Sequence, residues 1–556
     1  MKEMSDQTRT LIAFALAAVI IAVWLRFFMP TPPPQKPGQP SAPAQTVPAQ
    51  PSGAATGGAP INPAPTKPVS IAAVQASAEK ITVVESERFR IELSNRGGVV
   101  KSWQLKKPYT LDLINPDAAG QLGWPLSLLL ADAQREMQAN SALYAVTPAR
   151  DQLSAPAEIT FHWSDGHLDV TKKLSFSVGY GMAIEVSATL DGQPLPVAVA
   201  WRGEFGDPSV AKANETVAVY YKQGGKLTQM QYKKLGVSGN QTQPLLRTGP
   251  MEFLGIEDQF FTAAFLPEGT DLSLWDWTRD YRRPESTQTL AQMAVGTAAG
   301  APLRLRAYVG PKELAQLGKQ QPSIEELVNF GWFGVIAKPL LFVLQWMHKY
   351  IPNYGWAIVV FTLTLTMALF PIRIWTFHSA RKMQVLAPEI KAIQDRYRKY
   401  SMKDPRKRKM NEEIMAVYQR EGVNPVGSCL PMLVQLPFLI AFYRMLAGAI
   451  ELRHAPWFGW IHDLSAKDPY YVLPIAMGIT SYLMTKMTPM PATADPAQAR
   501  MMMLMPLMMT VLFVNFSSGL NLYYFTSNLI GMVQQWYLNR SQPLPSRSKF
   551  KKKQNE

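Results

Sequence analysis

The spacing of apolar residues changes character three times along the chain. Between Ile81 and Val309 they recur at every second position in short runs: Ile81-Thr82-Val83-Val84, then Phe89-Arg90-Ile91-Glu92-Leu93, a turn over Asn95 to Gly98, and Val99 to Trp103. Further on, Ile159, Phe161 and Trp163 lead through Asp165-Gly166 into Leu168, Val170, Leu174 and Phe176. A period of two broken by turn residues predicts an antiparallel β-sandwich. Elsewhere the apolar residues run without alternation: Leu11 to Met29, Trp356 to Ile372, Leu430 to Ile450, Tyr470 to Met487, Met501 to Phe516 and Leu520 to Leu538. Such runs approach the roughly 20 residues that cross about 30 Å of hydrocarbon as a helix. Ser517, Ser518 and Gly519 join the last two as a tight hairpin.

The third pattern is helical and amphipathic. Met383, Leu386 or Ala387, Ile390, Ile393, Tyr397 and Tyr400 recur at steps of three and four, and Met410, Ile414 and Val417 do so after Asp404-Pro405. This predicts two short helices paired through their apolar faces. Residues 324 to 349 are densely apolar but carry Lys338, His348 and Lys349, and read either as a further span or as a helix lying in the headgroups. Residues 30 to 70 hold 13 of the 45 prolines and read as an extended tether.

Charge orients these elements. The chain carries +15, yet only 17% of its residues are charged, against roughly 25% in an average soluble protein. Residues 373–421 (13 basic, six acidic, +7) and 540–556 (six basic, one acidic, +5) hold most of the excess. By the positive-inside rule both are expected in the cytoplasm. Counting Leu11–Met29 as a retained anchor and not a cleaved signal, six crossings place both segments inside and the sandwich outside. One crossing more would move the +7 segment out, so 324–349 is expected to lie in the interface.

Candidate chemistry is sparse. The single cysteine, Cys429, makes no internal disulfide, and no Cys/His spacing suits a metal, so neither metal nor cofactor is expected. The five later spans contain no Asp, Glu or His, which argues against a proton-coupled carrier. Ser/His, paired-Asp and HExxH arrangements are missing, so an enzyme is not expected. His162 and His167 read as ordinary residues of the sandwich. The spans do hold uncharged polarity at Thr362, Thr364, Thr366, Gln435, Asn515, Asn521, Gln534 and Gln535, plus a buried-looking Arg444, which suggests a shared hydrated cavity or interhelical hydrogen bonds. Arg396, Arg398, Lys399, Arg406, Lys407, Arg408 and Lys409, with Lys551, Lys552 and Lys553 in the tail, read as a solvated face or as contacts for anionic phospholipid or ribosomal RNA.

The run Glu421-Gly422-Val423-Asn424-Pro425-Val426-Gly427-Ser428-Cys429-Leu430-Pro431 resembles the YidC membrane protein insertase family. So do Gln435-Leu436-Pro437, Glu451-Leu452-Arg453, Trp460-Ile461-His462-Asp463-Leu464-Ser465, Asp468-Pro469-Tyr470-Tyr471, Ser518-Gly519-Leu520-Asn521-Leu522-Tyr523-Tyr524 and Asn528-Leu529. The resemblance covers nearly the whole chain and is to the form of bacteria with an outer membrane. It implies a polytopic α-helical inner-membrane protein of six transmembrane helices, five of them an insertase core, with a large periplasmic all-β sandwich domain and a cytoplasmic helical hairpin.

The expected divisions are an anchor at 1–29, a linker at 30–79, the periplasmic sandwich at 80–322 and an interfacial helix at 323–350. Span two follows at 351–375, the cytoplasmic hairpin at 376–427, span three at 428–450, a periplasmic loop at 451–469, span four at 470–487 and a cytoplasmic loop at 488–500. Spans five and six follow at 501–516 and 520–538, and a cytoplasmic tail at 539–556.

The function implied is insertion of nascent membrane proteins, alone or beside the Sec translocon, through a hydrophilic groove open to cytoplasm and lipid, with no small-molecule substrate. Rival classes are an envelope assembly scaffold and a solute transporter. By the resemblance Thr362 and Tyr524 match groove positions; Thr366, Gln435, Asn515, Asn521 and Tyr523 are further groove or substrate-contact candidates, with a greasy rim of Met501 to Met503, Met505, Met508 and Met509 with Leu436 and Pro437. One position departs from the family: aligning Asn353-Tyr354-Gly355 and Phe370-Pro371 puts Thr366 where a groove arginine is usual. Arg373, seven residues on and about 10 Å nearer the cytoplasm on the same helical face, is one candidate to replace it. Arg444 is the other.

Overall fold

The computed structural model describes residues 72–209, 216–235, 237–238, 241–242, 244–269, 271–284, 286–297, 301–400, 404–421, 430–488 and 496–541, all within the compact unit Lys67–Glu556. The side chains of Ser379, 430–435 and 496–502 lie outside the description. So do Leu11–Met29, the proline-rich tether and Lys551, Lys552 and Lys553, as well as the backbone of 422–429.

The alternating runs form strands and pack as a β-sandwich. Ile81–Glu85, Phe89–Ser94 and Val99–Leu105 are consecutive antiparallel neighbours. Ala157–Ser164 pairs with Leu168–Phe176 in the predicted hairpin, with Gly166 at φ 98° in the turn where only glycine is unstrained. Leu168–Phe176 then pairs with Gly181–Leu190, and that strand with Leu303–Pro311, in the largest sheet. Indole and phenyl rings close the layers: Trp201 lies 6.2 Å from Trp103 and 6.5 Å from Phe265, so three sheets meet at one tryptophan.

Along Leu168–Phe176 every second residue is buried, which puts Lys172 in line with Val170 and Leu174. Its Nζ donates to the carbonyls of Gly97 (2.7 Å), Gly98 (3.2 Å) and Leu126 (2.7 Å), groups that would otherwise be buried without donors. Burial pushes this ammonium down to about 7. His162 and His167 bond Asp169 and Asp191 at 2.9 and 2.7 Å, within the sheet and at its turn.

The helical half contains α1 (Gly334–His348), α2 (Tyr354–Ala368), α3 (Phe370–Arg396), α4 (Arg406–Arg420), α5 (Leu430–Gly448), α6 (Val472–Met487), α7 (Pro496–Phe513) and α8 (Ser518–Ser541). α8 packs between α2 and α6, α7 packs on α6, and α1 packs on α5 and α2. Asn353 starts α2 by accepting from the Trp356 N–H at 3.1 Å, and Asp404 starts α4 by accepting from the Arg406 N–H at 2.9 Å.

Several boundaries differ from those read in the sequence. α1 is shorter than 323–350, because Glu325–Leu327 and Gly331–Phe333 form 3₁₀ turns, with Gly331 at φ 64° ahead of the helix. The chain also bends by 48° between α2 and α3. Pro371 has no N–H to continue the ladder, so α2 stops at Ala368 and α3 begins at Phe370, inside the range expected for a single span. Among the described residues no single helix is long and apolar enough to cross a membrane, although α2 and α3 together are.

α3 and α4 pair as the periodicity predicted. Met383, Leu386, Ile390 and Ile393 of α3 bury against Ile414, Val417 and Tyr418 of α4, with Tyr397 and Met410 at the edge.

The two halves of the chain are joined by a buried ion pair. Arg453, following the turn Ile450–Leu452, bonds the carboxylate of Asp207 and lies over the Phe261 ring at 5.3 Å. Its side chain is 4% exposed and that of Asp207 0%. Beside it, Gln259 Nε2 donates to the Ala447 carbonyl at 2.9 Å.

Candidate functional site

α8 positions most of the polar groups inside the helical half. Asn521, Asn528 and Gln535 recur every seventh residue and so share one face. Asn528 Nδ2 donates to Ser481 Oγ (2.7 Å), Thr480 Oγ1 (3.3 Å) and the Met477 carbonyl (3.3 Å), tying α8 to α6. Gln535 Nε2 donates to Asn539 Oδ1 at 3.3 Å, which also accepts from Arg381 Nη2 at 3.0 Å. The result is a polar seam through an otherwise apolar bundle.

Arg373 also bonds to α8. Its Nη1 donates to Gln534 Oε1 at 3.1 Å and its Nη2 to Met484 Sδ at 3.5 Å. Gln534 Nε2 in turn donates to the carbonyl of Thr366 at 3.3 Å, in the last turn of α2, where carbonyls lack intrahelical donors. One buried glutamine therefore links Arg373 to the residue standing in the arginine position. The guanidinium is half-buried and forms no ion pair among the described residues. Its remaining N–H donors are available to an acceptor.

The other candidates divide. Thr362 and Thr366 line α2 beside the seam, each donating its hydroxyl to the carbonyl four residues back at 2.6 Å. Tyr523 stacks on Phe442 at 4.1 Å, Phe442 on Phe361 at 5.4 Å, and Tyr524 meets Phe513 edge-on at 4.7 Å. These rings pack α2, α5, α7 and α8 against one another. Asn521 caps the end of α7 by donating to the carbonyls of Phe513 (3.2 Å), Phe516 (3.4 Å) and Ser517 (3.3 Å), which makes it a fastener of the α7–α8 turn. Asn515 is exposed and accepts from Lys467 Nζ at 2.9 Å, away from the seam. Arg444 is half-buried on α5 and is not joined to Arg373. Leu436 and Pro437 are half-buried on the same helix, and the side chain of Gln435 lies outside the described residues. On α7, Met505, Met508 and Met509 are 48%, 69% and 39% exposed, while Met501 and Met502 have no described side chains and Met503 is half-buried.

The basic face of α3 and α4 is partly neutralised. Arg396 pairs with Glu413 at 2.9 Å and Arg406 with Asp404 at 3.2 Å. Arg398, Lys399, Arg408 and Lys409 are exposed, and Lys407 is half-buried near Met410. In the sequence Gln534 stands out only as general polarity, and Gly531, Met484, Thr480 and Ser481 not at all. The heptad spacing of Asn521, Asn528 and Gln535 was the available signal, whereas nothing local marked the partner of Arg373.

The structure is thus a β-sandwich fixed to a bundle of apolar helices, with a polar seam that holds a cation. Residues 346–545 match the family described as 60Kd inner membrane protein, and residues 81–343 match the YidC periplasmic domain. A membrane protein insertase YidC of Geobacter metallireducens is 34% identical over 96% of this chain and 98% of its own length. One from Cupriavidus necator is 31% identical over 84% of each chain. A solved YidC insertase structure aligns at 20% identity over 83% of this chain and 95% of its own, with a TM-score of 0.35. The chain belongs to the YidC membrane protein insertase family. Its sandwich is the family's periplasmic domain.

Proposed function

We propose that this chain inserts hydrophobic segments of nascent proteins into the inner membrane, and that Arg373 is the cation of its groove. The observation that carries this reading is the guanidinium bonded through Gln534 to the Thr366 carbonyl without a carboxylate partner among the described residues. An unpaired cation among apolar helices attracts acidic residues strongly, because the surrounding medium screens poorly. Polar groups on the seam shorten the apolar barrier that a translocated tail must cross. The aromatic layer at Phe361, Phe442 and Tyr523 closes the outer end, so the tail enters from the side of Arg373.

The same reading has six spans, both termini in the cytoplasm and α3–α4 as a cytoplasmic hairpin. Support comes from the +7 and +5 segments and from the outward apolar belt of Val360, Leu363, Met367, Ile479 and Val533. α1, with Val335 at 86% and Phe342 at 70% exposure, rests in the outer headgroups. The exposed methionines of α7, with Leu436 and Pro437, grip varied client helices. Arg398, Lys399, Arg408 and Lys409 face the ribosome or anionic phospholipids, and the Sec translocon is the partner for larger clients.

The test is insertion of a single-span client with an acidic outer tail into liposomes carrying the purified chain. The native chain and Arg444→Ala insert it, and Arg373→Ala does so roughly tenfold less, the scale of one lost charge-assisted contact. No insertion by the native chain contradicts the reading.

A further inference from the structure

The geometry points to Gly531 as a positioning residue that makes room for the Arg373 guanidinium and so sets the preference for acidic tails; this rests on Arg373 being the groove cation. Gly531 lies in the interior of α8, where glycine destabilises a helix relative to alanine, so its presence there calls for a packing reason. A Cβ on Gly531 would lie 2.9 Å from Nη1 and 3.3 Å from Nη2 of Arg373, and 3.5 Å from Met484 Cε. The first distance is shorter than carbon and nitrogen tolerate, so any side chain at this position displaces the guanidinium.

Three neighbours therefore fix the cation: the bare backbone of Gly531, Gln534 Oε1 one turn along the same helix, and Met484 Sδ across on α6. Arg373 comes from the far side of the 48° bend. Only with the notch open does its head lie against α8 at the level where Gln534 also holds the Thr366 carbonyl. A shift of about an ångström breaks the bond to Gln534 and removes the fixed direction in which the free N–H donors point. Gly531 touches no client in this account. It acts through Arg373.

The test compares two single-span clients in the same vesicles, identical except that the translocated tail carries Asp and Glu in one and Asn and Gln in the other. The readout is the ratio of acidic to neutral insertion, which a purely structural role would leave unchanged. The native chain favours the acidic tail; Arg373→Gln loses the preference; Gly531→Ala lowers the ratio roughly threefold or more while neutral-tail insertion stays level. Gly531→Ala in the Arg373→Gln background adds nothing further, and Gly531→Ala with Arg373→Lys regains part of the ratio because an ammonium is slimmer. A native ratio in Gly531→Ala, alongside a lost one in Arg373→Gln, overturns the notch and leaves the Arg373 reading standing. Equal ratios in the native chain and Arg373→Gln overturn both. If Gly531→Ala does not fold, its introduction into the Arg373→Gln background decides: restored folding supports the clash, and continued failure overturns it.

Discussion

Two arginines within the folded chain are treated in opposite ways. Arg453, where the sandwich meets the helices, is almost fully enclosed and paired with the equally enclosed Asp207. Arg373, inside the helical half, is half-buried and held, among the described residues, by an amide oxygen and a thioether. Neutralised where it sits, the first cation fixes two parts of the chain against each other. The second has no carboxylate partner among the described residues, and the proposed function uses its field to attract a passing acidic group. Burial alone does not distinguish a structural charge from a working one; the partner does.

The largest effect expected on this contrast is at the domain contact. Arg453→Ala leaves Asp207 buried without its cation and costs about 3–5 kcal/mol, the usual penalty for breaking a buried pair. Thermal unfolding in detergent, with limited proteolysis between the halves, should report it. Lys172→Met is next, at roughly 1–3 kcal/mol, because it removes the donor from three enclosed carbonyls; a urea titration of the sandwich measures it.

The pair also responds to acid. Burial raises the Asp207 carboxyl, but bonds from Arg453 and Ser209 outweigh it and hold the group below its ordinary 3.8. With the folded value below the unfolded one, the contribution is complete above the unfolded value and is lost as pH falls through the folded one. The stability gap between the native chain and Asp207→Asn therefore narrows below about pH 4. Asp258, whose carboxylate accepts from the Asp207 N–H at 2.7 Å, is pushed up by burial and by itself responds in the opposite sense. Smallest of all, Arg396→Ala breaks an exposed pair with Glu413 and should leave the melting temperature unchanged.

Much of this organisation was legible beforehand. Period-two alternation located the strands, and steps of three and four located the α3–α4 core, because both signals follow from local geometry. Even Lys172 could have been marked, since it falls in the inward register between Val170 and Leu174. The partners of the two arginines could not. Asp207 and Arg453 are 246 positions apart, and Arg373 and Gln534 are 161 apart. The second contact depends on a bend at Pro371 and a gap at Gly531, and neither leaves a hydrophobic period. Asn515 and Asn521 read as groove candidates on polarity alone; in the fold Asn515 Oδ1 accepts from Lys467 and Asn521 Nδ2 donates into the α7–α8 turn.

The central claim is that the charge at residue 373 selects the client. Arg373→Glu tests it most directly, with insertion measured for paired clients whose translocated tails are acidic or basic. Inversion of the native preference, so that the basic tail inserts better, is the result the account predicts. An unchanged preference for the acidic tail, in a variant that still inserts neutral tails at the native rate, would contradict it.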